Sequence, residues 1–164
     1  MATATNLPAA FVSGAILTAD QMNNLRGAFR VLQVVYASYA TDTANATTTY
    51  ADTGLTASIT PQATTNKILV FASIPCLKEQ ANGNNAVNLR LFRGATQLRE
   101  TTLLNYTGTT LQVRSVFSDM YLDSPSSISA LTYKYQFANY TNASGVSVFP
   151  NSMPGQLTLM EISA

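Results

Sequence analysis

From Gln33 to the end of the chain, apolar side chains recur with a period of two instead of 3.6, and this alternation limits the fold more than any other feature. In Ser129–Ala138, Leu131, Tyr133, Tyr135 and Phe137 fall on one face and Thr132, Lys134 and Gln136 on the other, as in an antiparallel strand covered on one side. The same rule predicts strands at Gln33–Tyr39, Thr56–Thr60, Lys67–Leu77, Ala86–Arg93, Gln97–Asn105, Leu111–Leu122, Gly145–Phe149 and Gln156–Ser163. Turn formers punctuate them, among them Thr60-Pro61-Gln62, Arg93-Gly94-Ala95, Ser124-Pro125-Ser126 and Met153-Pro154-Gly155. Short strands with no helices between them exclude a βαβ fold. They predict a mainly β protein, an antiparallel β-sandwich that is jelly-roll-like. Lys67–Leu77 departs from the pattern: Ile68, Val70 and Ala72 lie on one face and Leu69 and Phe71 on the other, so both faces are expected to be covered.

The residues before Gln33 follow another rule. Met1 to about Phe11 is small and polar with a proline at Leu7-Pro8, which reads as an extended arm. Gly14 marks a break, Thr18 caps a short helix with Gln21 as its reciprocal partner, and Asp20 favours the positive end of the helix dipole. Met22, Leu25, Phe29 and Leu32 then form one narrow apolar seam opposite Asn23, Asn24, Arg26 and Arg30. The seam either packs against a partner surface or plugs one end of the chain's own sandwich, and its four residues are the candidate partner-binding positions. The chain divides accordingly into an N-terminal arm and attachment helix, 1–31, and a β-sandwich domain, 32–164.

Charge enters at this point. Only 10% of the residues are charged, against about 25% in an average soluble domain, and polarity is carried instead by Thr, Ser, Asn and Gln. A chain so poor in charge is expected to hide part of its surface against copies of itself. The nine Lys and Arg residues are scattered, so no basic stripe tracks a nucleic acid. No run approaches the ~20 apolar residues of a membrane span and no secretion signal is apparent, so synthesis and assembly in a cytoplasm are expected. Cys76, the one cysteine, sits near Ile74 and Leu77 and reads as a buried thiol.

The sequence has no histidine, which removes Ser-His and Cys-His nucleophilic arrangements and the commonest metal ligand. Asp119 and Asp123 share a strand face, but four residues at a ~3.3 Å rise hold them about 13 Å apart, too far for a glycosidase pair. Glu79, Glu100 and Glu161 read as solvated or strand-end charges. No calcium loop or phosphate-binding glycine loop occurs. The chain therefore reads as a non-enzyme without cofactor or metal. One site class remains, because aromatic rings on a Thr/Asn-rich β-surface stack on sugars. Tyr106, Tyr121 and Tyr140 are the glycan-binding candidates, with core packing or strand pairing as the competing role of each.

The run Phe11-Val12-Ser13-Gly14-Ala15-Ile16-Leu17-Thr18-Ala19-Asp20-Gln21-Met22-Asn23-Asn24-Leu25-Arg26 resembles a motif near the start of many tailed-bacteriophage virion structural proteins. Val34-Val35-Tyr36-Ala37, Tyr50–Pro61, Asn66–Val70, Leu91–Thr96 and Leu157–Ile162 resemble the sandwich of the same family, in matching order across nearly the whole chain. The resemblance implies a virion component with a sandwich head assembled as a homotrimer and attached through its N-terminal segment to other virion proteins, the major capsid protein or tail components. It transfers no catalytic residues. With no shaft repeats, a capsid decoration or cement protein, a head fibre or a short tail fibre is implied; a fibre would bind a host surface glycan.

Overall fold

The computed structural model describes residues 14, 16, 31–80, 83–141 and 145–163. Its strands are β1 (Val31–Tyr39), β2 (Thr43–Asn45), β3 (Ala51–Ile59), β4 (Lys67–Lys78), β5 (Asn85–Arg93), β6 (Thr96–Thr107), β7 (Val113–Asp123), β8 (Leu131–Asn139), β9 (Val146–Val148) and β10 (Gly155–Ile162). The expected helix, with Met22, Leu25 and Phe29, lies outside the described residues. Leu32 is half-buried in β1, so a helical seam ends before it.

Every strand pairing is antiparallel, and the long strands nest. β1 pairs with β10, β3 with β8, β4 with β7 and β5 with β6, first with last and inward to the central hairpin. A ribbon paired in this way and curled over itself yields two sheets, β1–β10–β4–β7 and β3–β8–β5–β6, the jelly-roll arrangement that the alternation predicted. β7 runs along one edge of β4 from Ile68 to Lys78; the other edge is shared by β10 and, from Cys76, by β9, with β2 beyond it.

Between the sheets lies one core. Leu55 and Ile59, Ile68, Val70 and Ile74, Leu89 and Leu91, Tyr133, Tyr135 and Phe137, and Leu157 and Leu159 are all essentially inaccessible. Cys76 is buried as expected, and loss of water around its sulfur pushes the thiol pKa up to about 12, leaving it unreactive.

Three local features differ from the sequence reading for physical reasons. β3 starts at Ala51, five residues before Thr56: its first inward residue, Thr53, is polar and hides the apolar signal, and a bulge interrupts the pairing between Asp52 and Thr56. Gly54 makes the bulge: its φ is +88°, and a β-carbon there would meet the Tyr39 ring at 2.5 Å. β2 was not expected, since it is three residues long and its inward residue, Asn45, is polar; the Asn45 amide donates to the carbonyls of Phe137 and Thr49. Glu161 is not a solvated charge. It is fully buried and accepts hydrogen bonds from Asn66 Nδ2 (2.6 Å), the Gln62 N–H (2.6 Å) and Gln33 Nε2 (2.5 Å). Burial pushes its carboxyl pKa up, but the bonds from Asn66, Gln33 and Gln62 outweigh that and hold it below the ordinary value. Its carboxylate fastens the β3–β4 loop and edge strand β1 to β10.

Candidate interaction surface

The outward face of the β1–β10–β4–β7 sheet is where the structure departs most from a water-facing surface. Cross-strand register sets three rows on it. Val34, Met160, Leu69 and Leu122 form one, Tyr36, Thr158, Phe71 and Met120 the next, and Ser38, Gln156, Ser73 and Ser118 the third. None of these twelve side chains is charged. Met120 is 63% exposed, Tyr36 59%, Val34 55% and Leu122 50%. Further along, Pro75, Val116, Pro150 and Met153 line an apolar indentation of about 260 Å³, with Arg114 at its wall. The sequence reading expected both faces of β4 to be covered. Among the described residues the outer face is open, and Phe71 is exposed.

β7 explains how a face of this kind arises. Its acids point into the sandwich and its apolar residues point out: Asp119 and Asp123 are opposite the inward Ala72 and Ile68, while Met120 and Leu122 are opposite the outward Phe71 and Leu69. Two ties hold the acids. Asp123 accepts from Arg93 Nη1 (2.6 Å) and the Tyr133 hydroxyl (2.6 Å), and Asp119 accepts from Arg99 Nη1 (2.8 Å) and the Tyr135 hydroxyl (2.9 Å). Desolvation, and then the adjacent aspartate, push both tyrosine pKa values up, so the phenols stay protonated donors. These ties join β7 to β5, β6 and β8 of the opposite sheet. They are structural, and each aspartate has its own arginine, so the two do not act as a pair.

The opposite outer face is polar. Lys134 and Gln136 both donate to Asp52, at 2.9 and 2.8 Å, and hold its carboxyl below the usual range. The Arg90 guanidinium lies 3.6 Å from the centroid of the Tyr50 ring and pairs with Glu100, which also accepts from the Tyr50 hydroxyl (2.6 Å). Partial burial, then the bond to Glu100, raise the Tyr50 pKa to about 12.

Of the sequence candidates for glycan contact, Tyr106 and Tyr140 come together, their rings edge to face at 6.4 Å, with the Tyr106 hydroxyl donating to Asn84. Both are exposed. Tyr121 is separate: it faces inward on β7 opposite Val70 and packs on the core. Nearby, the buried Lys78 ammonium donates to the carbonyls of Thr109 and Leu111 at 2.9 Å each, which fixes the loop between β6 and β7. The apolar rows on β1, β7 and β10 were missed because alternation reports only that two faces differ, not which one is inside. The signal available was β4, apolar on both faces.

No family model matches the sequence. No curated protein matches it either. Among solved structures, the chain is similar to the VP2 subviral particle of infectious bursal disease virus, with a TM-score of 0.44 at 9% identity over 79% of this chain and 39% of that one. The Gt strain of the same virus gives a TM-score of 0.41 at 12% identity over 83% of this chain and 38% of that one. The Gx strain gives 0.40 at 14% identity over 80% and 38%. The chain thus spans under two fifths of the length of these structures.

Proposed function

We propose that the protein is a non-enzymatic structural component of a tailed-bacteriophage virion, a capsid decoration or cement protein that binds and stabilises the particle as a homotrimer. The carrying observation is the uncharged apolar face left open on a sandwich whose core is already complete. An exposed patch of this kind is unfavourable in water and marks a protein contact. The sequence resemblance supports the virion setting and the trimer, and the 10% charged composition supports a protein that works assembled. The acids inside the sandwich are taken up in structural bonds: Asp119 and Asp123 by arginine and tyrosine, Glu161 by amides. In this reading Met1–Arg30 attaches the protein to its virion partner and the sandwich faces outward.

A cement protein acts by linkage. It binds the assembled shell and not its free subunits, so it stabilises the shell by RT ln(1 + [L]/Kd), about 2.7 kcal/mol per site at a hundredfold excess over Kd. Electron microscopy of intact particles combined with thermal DNA release tests this. Copies across the capsid lattice, with earlier DNA release from particles lacking the protein, are the expected result; unchanged release temperature refutes it. The second reading is an adsorption fibre binding a host glycan, favoured by the exposed Tyr106–Tyr140 pair beside Asn84. Copies confined to the tail would select it.

A further inference from the structure

We infer that the outer face of the β1–β10–β4–β7 sheet is covered by further copies of this chain, three such faces turning toward a shared axis with Phe71, Met120 and Leu122 at the contact. The inference rests on the homotrimer reading and adds the surface that makes the trimer. Size is the first argument. Val34 and Tyr36 on β1, Phe71 on β4 and Met120 and Leu122 on β7 are 36–63% exposed, so the apolar stretch runs across the whole width of the sheet, and contiguous apolar patches beyond a few hundred Å² mark protein contacts.

Charge is the second argument. Across twelve positions on four strands there is no ionisable carboxylate or amine, and the charges beside the face are at its margins: Lys67 bonded to Ser124, Arg99 reaching the Met120 carbonyl from β6, and Arg114 at the indentation. An occupant must be equally uncharged, since a charge set down here would lose its water without gaining a partner. The same face on another copy meets that requirement. Its composition, aromatic and methionine-rich without Lys or Glu, is that of an interface centre. The opposite sheet does not qualify, because its outer side carries Asp52, Lys134, Arg90 and Glu100.

The test is light scattering and sedimentation equilibrium of the full chain, with Met120→Lys and Leu122→Lys on the apolar face, Tyr36→Asp on another strand of it, and Ser58→Lys on the polar face as control. Circular dichroism checks each fold. The expected result is an oligomeric parent, at least tenfold weaker association in each apolar-face variant, and no change in the control. An oligomeric parent whose folded apolar-face variants associate equally well overturns the inference and leaves the homotrimer standing on another surface. A parent that is monomeric across the micromolar range removes both, and leaves the chain's own residues 1–30 or another virion protein as the cover.

Discussion

Two outer sheet faces on one sandwich, built from strands of the same alternating backbone, end in opposite chemistry. On β3–β8–β5–β6 the outward positions carry Asp52, Lys134, Arg90 and Glu100, paired across strands and wet. On β1–β10–β4–β7 the outward positions carry Val, Leu, Met, Phe and Tyr, and β7 has turned its two aspartates inward. A face meant for water keeps charge because each ion is best hydrated there. On β7, which buries its acids and exposes its methionine, the exposed side is the one that the proposed assembly covers.

The largest effect is expected at Asp123. Asp123→Ala removes the acceptor of Arg93 and Tyr133 and frees the strand that supplies the fourth column of the apolar face. Breaking a buried pair costs about 3–5 kcal/mol, and the partial exposure of Arg93 points to the lower end. Urea unfolding should show a midpoint reduced accordingly; a loss of under about 0.5 kcal/mol, the size of an ordinary surface change, would mean that β7 is held by strand pairing alone.

Glu161→Gln comes next. The variant keeps the shape and an oxygen for Gln62 and Asn66 but loses the acceptor of Gln33 Nε2, a bond to a charged group worth about 1.5–3 kcal/mol. The pH dependence has a defined sign. Because the folded pKa of Glu161 lies below the ordinary 4.5, its contribution is fully present above that value and is lost as pH falls through the folded value. Melting temperature measured from neutral pH into this acid range should therefore fall less steeply for the glutamine variant than for the parent.

Smaller changes sharpen the contrast between faces. Lys134→Ala on the polar face breaks a solvent-exposed pair with Asp52 and should lower stability by under about 1 kcal/mol, without altering association. Raising salt from low to physiological strength and beyond should leave self-association nearly unchanged, because the apolar rows hold no ions to screen. A dissociation constant that rises steeply with salt would place the contact on the charged face instead.

Much of the sandwich was legible from the chain alone. Leu131, Tyr133, Tyr135 and Phe137 announced a half-covered strand by their spacing, and β8 buries the last three of them. Turn residues placed the hairpins, because proline fixes φ and glycine admits the positive φ that a turn requires, both local effects that need no knowledge of the rest. The apolar pattern of β4 on both faces was also visible, and with it the expectation of a partner. What spacing could not settle was direction. On β7 it separated Asp119, Tyr121 and Asp123 from Met120 and Leu122, yet which set faced the core depended on Arg93, Arg99, Tyr133 and Tyr135, residues from strands of the opposite sheet. The same holds for Glu161, whose burial depends on amides donated by Gln33, Gln62 and Asn66 from remote parts of the chain. Periodicity is a local property of the backbone and is written in the sequence; the side that a charged strand turns inward is decided by distant donors, and these come together only when the ribbon has folded over itself.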